Sequence, residues 1–259
     1  MMTLSALGCR IGARLLLQDI SLDLQPSCIA VIGPNGAGKS TLLRLCADGG
    51  RHLPRHDTSG TLTLDGRPLR DFPAGTLARR RAFLPQQHAE ALQLPVADIL
   101  ELAAWPHGGR LPLPLRRRAA ALWELDALLE RGYAELSGGE RQRVQLARTW
   151  LQMRLHAVAA ERLWLLDEPQ NALDLPHQQR LRECLRTEAG AGALVMFSTH
   201  DINFALRTAD TIVALRHGRL HAAGRPEQLA DTALLQEVFG VAFDRLTHPV
   251  DGRPWLLPH

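Results

Sequence analysis

The sequence predicts an α/β fold: a parallel sheet presenting a phosphate-binding loop, a small antiparallel β layer beside it, and a helical segment inserted between its strands. Three observations carry that prediction. Residues 33 to 40 read Gly33-Pro34-Asn35-Gly36-Ala37-Gly38-Lys39-Ser40, glycines at fixed spacing followed by Lys and Ser, with Thr41 next. Short apolar runs recur at 29–32, 163–166, 193–197 and 211–215, as strands buried on both faces require. From about 88 to 154 the pattern turns helical, in pieces separated by Pro95, by Pro106-His107-Gly108-Gly109 and by Pro112 and Pro114.

Taken in chain order, residues 15–24 end in Ile20, Leu22 and Leu24 alternating with Ser21 and Asp23, which predicts a half-buried antiparallel strand. Ile29-Ala30-Val31-Ile32 then predicts a buried parallel strand, and Thr41-Leu42-Leu43-Arg44-Leu45 the start of a helix. Between them the glycines let the backbone curl without a Cβ penalty, so that successive N–H groups can face one phosphate at the positive end of the helix. In this spacing Lys39 reaches the β and γ phosphates and the Ser40 hydroxyl ligates Mg²⁺. Lys39 is the only lysine among 30 Lys and Arg residues, so the strong preference for Arg stops where a compact ammonium on a flexible stem suits the chemistry.

Thr61-Leu62-Thr63-Leu64 with the Asp65-Gly66 turn predicts a second antiparallel strand, and Arg79 to Arg81 a basic surface before a short strand that ends at Gln86 and Gln87. Arg116 to Arg131 carries Ala120, Leu122, Leu125, Leu128 and Leu129 at helix spacing, a packing face. Leu136-Ser137-Gly138-Gly139-Glu140-Arg141-Gln142 precedes a helical run from Arg143 to Arg154, so two glycines make a second anion-ready helix start, with Ser137 as its cap or as a phosphate contact. Leu163 to Leu166 runs into Asp167 and Glu168, a buried strand delivering two carboxylates at its C-terminal edge, where ligands of open α/β sheets bind. Asp167 suits a direct or water-mediated Mg²⁺ contact, and Glu168 suits a group that polarises the attacking water. Asn171 to Asp174 turns into a helix over 176–188, and Ala193 to Ser198 is a further buried strand that brings His200 to the same edge. Thr211 to Leu215 followed by Gly218 gives another strand and turn, and the last 35 residues read as a helical and irregular extension.

Composition bounds the function classes. At 259 residues, 46% hydrophobic and 22% charged, the chain suits one large domain or a core with an inserted subdomain. A net charge of +3 and a pI near 8.9, without interleaved Arg and aromatic residues, argue against a nucleic-acid partner. Met1 to Ala6 lacks a basic stretch followed by an apolar one, and no run approaches about 18 uncharged apolar residues, so the expectation is a chain neither exported nor membrane-spanning. Cys9, Cys28, Cys46 and Cys184 stand singly and read as reduced core residues in the cytoplasm.

In this order and spacing the elements resemble the nucleotide-binding subunits of ABC transporters, over nearly the whole chain, and Leu136 to Gln142 matches that family's own signature. The resemblance implies a P-loop NTPase with a RecA-like core, an antiparallel β subdomain and an inserted helical subdomain, the ABC ATPase type: residues 1–87 and 155–259 as core, 88–154 as the insert with the signature. It implies ATP and Mg²⁺ as cofactors. Gly33, Pro34, Asn35, Gly36, Ala37, Gly38, Lys39, Ser40 and Thr41 form the Walker A loop, Gln86 is the Q-loop glutamine, Asp167 the Walker B aspartate, Glu168 the catalytic glutamate and His200 the switch histidine. Ser40, Gln86 and Asp167 are then the metal contacts, and Lys39, Gln86, Glu168 and His200 the catalytic set. Two such subunits stack head to tail, so that Ser137, Gly138, Gly139 and the D-loop with Asp174 reach the ATP held by the other copy. The implied partners are a second copy, two membrane permease subunits and, indirectly, a periplasmic substrate-binding protein; the implied location is the cytoplasmic face of the bacterial inner membrane.

Within the family, Asn35 to Leu43, Phe83-Leu84-Pro85-Gln86, Asp174-Leu175-Pro176-His177-Gln178 and the tail from His248-Pro249 to Gly252-Arg253-Pro254 look most like importers of iron chelates, haem in particular, with siderophore and vitamin B12 importers sharing much of the pattern. The soluble ABC-type ATPases of DNA and ribosomes usually carry two cassettes or a coiled-coil insertion, and this sequence has one cassette and no heptad run. Three positions depart from the family. Where an aromatic commonly stacks on adenine stands Ile11, the usual Thr after the Walker B proline is Gln170, and the usual D-loop Ser is Asn171.

Overall fold

In the computed structural model, which describes residues 1–51, 56–86, 93–247 and 252–259, the chain opens with two long paired strands. β1 (Met2–Ile11) runs antiparallel to β2 (Arg14–Leu24). The sequence does not announce β1, and the reason is local. Ala6 takes a left-handed φ of 49° and the register slips between Leu4 and Leu7, which breaks the period-two pattern of buried residues. β3 (Cys28–Ile32) follows, then α1 (Lys39–Asp48), which begins at Lys39, two residues ahead of the expected start. β4 (His56–Leu64) and the two-residue β5 (Arg67–Pro68) complete a four-stranded antiparallel sheet in the order β2-β1-β4-β5.

α2 (Ala74–Arg80) leads into β6 (Arg81–Leu84). The expected basic surface here is corrected. Only Arg79 is exposed; Arg80 lies against the Phe72 ring and pairs with Asp65 and Glu161, and Arg81 is half-buried, because the arginines straddle a helix-to-strand junction packed on the antiparallel layer. The helical stretch comprises α3 (Val96–Glu101), a 3-10 turn over Leu102–His107, α4 (Leu113–Trp123) and α5 (Gly138–Arg154). The helix expected through Arg131 ends at Trp123, where Glu124 turns left-handed (φ 51°), yet Leu125 and Leu128 still reach the core from the turns that follow. α5 likewise starts at Gly138, earlier than Arg143.

β7 (Leu163–Leu166), α6 (Leu175–Gly190), β8 (Leu194–Ser198), α7 (Ile202–Thr208) and β9 (Thr211–Arg216) return to the sheet, and β10 (Arg219–Gly224) closes a hairpin on it. α8 (Pro226–Leu229) and α9 (Thr232–Phe239) supply the helical part of the expected extension, and an antiparallel pair, β11 (Phe243–Thr247) with β12 (Pro254–Pro258), stands in place of its irregular part. The central sheet has the order β10-β9-β3-β8-β7-β6, parallel except for β10.

Strand alternation divides that sheet between two cores. Ala30, Ile32, Trp164, Leu166, Val195 and Phe197 face the helices α3 to α7, whereas Ile29, Val31, Leu163, Leu165, Met196 and Val213 face α1 and the antiparallel layer. All four cysteines are free and buried, as read from the sequence. Among the described residues no helix is long and apolar enough to cross a membrane. Gln87 and the His248-Pro249 pair lie outside the described residues.

Candidate nucleotide-binding site

Strand β3 ends at Ile32 and the chain curls through Gly33 to Gly38 before α1 begins. Two glycines here answer to geometry. Gly33 has φ 148°, and a Cβ on it would stand 2.3 Å from the Leu215 carbonyl oxygen; Gly38 has φ 103° and a Cβ would meet Leu17 Cδ2 at 2.6 Å. The loop is braced from outside by the β9–β10 turn, since Gly218 N–H donates to Ala37 O (3.1 Å) and Gln18 N–H to Gly218 O (2.7 Å). No side chain caps α1, so its first N–H groups, which have no partner within the helix, remain available to an anion. Lys39 is buried, and its ammonium donates to the carbonyls of Gly33 (2.7 Å) and Pro34 (3.1 Å). Burial lowers its pKa from the ordinary lysine value, and the charges of Glu168 and Asp167 oppose that shift.

The C-terminal ends of β7 and β8 bring the carboxylates to this loop. Asp167 is 1% exposed, and its Oδ1 accepts from Ser198 Oγ (2.6 Å) and Ser40 Oγ (3.1 Å), while Glu168 N–H donates to Ser198 Oγ (2.9 Å). Asp167 Oδ2 is buried without a hydrogen-bond partner among the described residues. An orphaned carboxylate oxygen next to a loop hydroxyl is a hard-oxygen donor set that fits Mg²⁺, which takes one or two protein oxygens and completes its shell from phosphate and water. Glu168 is almost buried with φ 51°, and its Oε2 accepts from Gln86 Nε2 (3.0 Å) and Asn171 Nδ2 (2.6 Å). His200 is exposed, with Nδ1 3.9 Å from Glu168 Oε1.

A cleft of about 420 Å³ is lined by Asn35 to Thr41, Gln86 and Glu168, together with Arg14 and Leu16. The structure therefore gathers Lys39, Ser40, Thr41, Asp167, Glu168, His200 and Gln86 at one place, the amide of Gln86 being turned to Glu168. Ser137, Gly139 and Asp174 line a separate cleft with Glu140, Arg143 and His177, which contains no residue of the phosphate loop. There Ser137 forms a capping box with Glu140 and Asp174 caps α6, accepting from His177 N–H (3.1 Å). Sequence reading missed Ser198, an ordinary serine at a strand end, and Arg14 and Leu16. It placed the family's base-stacking position at Ile11 and expected weak stacking there; Ile11 does not line the cleft. The alternation of β2, in which residues two apart share a face, was the signal that pairs 14 with 16.

A family model described as ABC transporter matches residues 17–171. The chain belongs to the ABC transporter family. The hemin import ATP-binding protein HmuV of Hahella chejuensis is 41% identical over 94% of each chain, and that of Pseudomonas entomophila is 39% identical over 99% of each. A solved structure described as the ATP-binding subunit of an ABC transporter superposes with a TM-score of 0.74 at 27% identity, covering 93% of this chain and 95% of that one. The protein is thus an ABC-type ATPase: it binds ATP and couples its hydrolysis to transport.

Proposed function

We propose that this ABC ATPase energises the import of haem, as a homodimer on two membrane permease subunits at the cytoplasmic face of the bacterial inner membrane, with a periplasmic binding protein delivering cargo from the other side. The observation that carries the cargo is near full-length similarity to hemin import subunits. In this reading residues 1–87 and 155–259 are the nucleotide core and 88–154 the unit that grips the permease. Exposed Leu102, Trp105 and Leu113 on the helical stretch support that docking role.

Binding starts at the phosphate loop. The Lys39 ammonium exchanges the Gly33 and Pro34 carbonyls for β and γ phosphate oxygens, a swap of hydrogen-bond acceptors that keeps a buried charge paired. The free N–H groups at the start of α1 hold the same phosphates. Asp167 and Ser40 would hold Mg²⁺, with Gln86 approaching it. When bound, the ion neutralises charge developing on the phosphates. Glu168 takes the proton of the attacking water, and His200 steadies the γ-phosphate side of the cleft. Ser137, Gly138 and Gly139 of a second copy close over the nucleotide, with Asp174 ending the D-loop beside them.

Steady-state ATP hydrolysis in proteoliposomes holding this subunit, its permease and its binding protein tests the reading, with haem, a ferric siderophore and cobalamin presented side by side. Stimulation by haem is the expected result. Stimulation by the siderophore or cobalamin alone refutes the cargo and leaves the importer standing; stimulation by none removes the importer reading. In the same vesicles Gln86→Ala is expected to cut transport much more than ATP binding.

A further inference from the structure

We propose that Asn171 is a positioning residue for hydrolysis: its side-chain amide holds the Glu168 carboxylate so that one oxygen is committed and the other is left for water. The inference rests on the reading of Glu168 as the group that takes the water's proton. Glu168 stands two residues beyond the end of β7 and has a left-handed φ of 51°, so the strand ladder does not aim its side chain. Two amides do. Gln86 Nε2 and Asn171 Nδ2 both donate to Oε2, at 3.0 Å and 2.6 Å, and Oε1 is left facing His200 Nδ1 at 3.9 Å.

The two donors differ in how firmly they are held. Gln86 is exposed at the end of the stretch that follows β6. Asn171 is half-buried in a turn anchored on three sides. Its own N–H donates to Glu168 O (3.2 Å), Gln170 Nε2 donates to Thr199 Oγ1 beyond β8 (2.5 Å), and Gln142 Nε2 of α5 donates to Pro169 O (2.8 Å). An amide at 171 therefore reaches the carboxylate from a backbone that is already fixed, and a carboxylate with one oxygen saturated presents a single orientation to water. The departures from the family at 170 and 171 act together here: the Gln170 amide ties the turn to β8 and the Asn171 amide uses that turn to aim Glu168.

The test is steady-state ATP hydrolysis by the purified full-length chain carrying Asn171→Ala, Asn171→Asp or, in parallel, Glu168→Gln, with kcat and KM read separately. Asn171→Ala is expected to lower kcat about 10-fold with KM for ATP unchanged, since the lost hydrogen bond is to a charged group in the step and not to the nucleotide. Asn171→Asp keeps the shape but sets a second carboxylate against Glu168. It should lose more turnover than Asn171→Ala, again with KM unchanged, because a donor to the carboxylate is replaced by a like charge. Asn171→Ala with kcat equal to or above the wild type, a loss carried by KM in place of kcat, or an Asn171→Asp deficit smaller than that of Asn171→Ala overturns the proposal. Glu168→Gln reports separately on the proton acceptor: if it is inactive while the Asn171 variants are not impaired, the acceptor stands and the positioning role falls.

Discussion

The two glycine-marked helix starts of this protein, at Gly38 and at Gly138, look alike in sequence and are opposites in structure. α1 begins with no side-chain cap, and the nearest cation, Lys39, is folded onto carbonyls of its own loop. α5 begins with a capping box, in which Glu140 N–H donates to Ser137 Oγ at 3.3 Å and Ser137 N–H to Glu140 Oε2 at 2.8 Å. The first end carries no side-chain cap; the second has its Glu140 N–H capped and carries a carboxylate. An uncapped helix start inside a cleft can hold phosphate within one chain, whereas the α5 start lines a cleft apart from the phosphate loop and can meet the same phosphate only when a second copy brings it there.

The comparison breaks most visibly at the open end. Glu168→Gln should leave ATP binding intact and lower steady-state turnover at least about 1,000-fold, because the group that orients water goes while shape and phosphate contacts stay. Gel filtration with ATP should then reveal a stabilised homodimer, and a monomer would deny that the capped end is used in trans. Lys39→Arg tests the loop itself. Charge is kept, but a planar fork cannot sit between the Gly33 and Pro34 carbonyls, so turnover should fall about 100-fold; wild-type rates would contradict the cradle.

A smaller effect concerns the base. Among the described residues no aromatic side chain lines the cleft beside the loop, where Arg14 and Leu16 stand instead. GTP should be hydrolysed at a rate comparable to ATP, and Arg14→Ala should raise KM for both about 3- to 10-fold through loss of a guanidinium stack, with little change in kcat. A strong preference for ATP would point to a base-reading residue elsewhere.

The smallest effect belongs to the capped end. Ser137→Ala should cost about 1 kcal/mol in denaturant unfolding. The backbone hydrogen bond from Ser137, and then its hydroxyl, hold the Glu140 carboxyl below its ordinary value of 4.5. A depressed carboxyl contributes stability that is present above the unfolded pKa and is lost as pH falls through the folded one. The difference between wild type and Glu140→Gln should therefore be full near pH 7 and fade below about pH 4.5. A difference that grows in acid would remove the capping box from the account.

Much of the site was legible because its residues are tied to local spacing. The phosphate loop and the Asp167-Glu168 pair sit directly after short buried strands and His200 two residues beyond another, and parallel strands of one sheet deliver their C-terminal ends to one edge. What was not legible depends on residues far apart in sequence. Ser198 becomes a bridge between Asp167 and the Glu168 N–H only because β7 and β8 are neighbours in register. Trp123 ends its helix, against a continuing apolar pattern, because Glu124 turns left-handed and the next leucines still find the core from 3-10 geometry.

The sequence by itself determined the class of chemistry and the order of the parts, since glycine spacing, a lone lysine and strand-end carboxylates are local statements about backbone freedom and charge. Only the tertiary structure decided that the Gln86 and Asn171 amides converge on one oxygen of Glu168, that Asp167 keeps a buried oxygen without a partner, and that Ser137 lies in a cleft apart from the phosphate loop. Those outcomes are set by the pairing of β6, β7 and β8 and by the packing of α5 on the sheet, and distances between side chains on different elements are not encoded in any one stretch of chain.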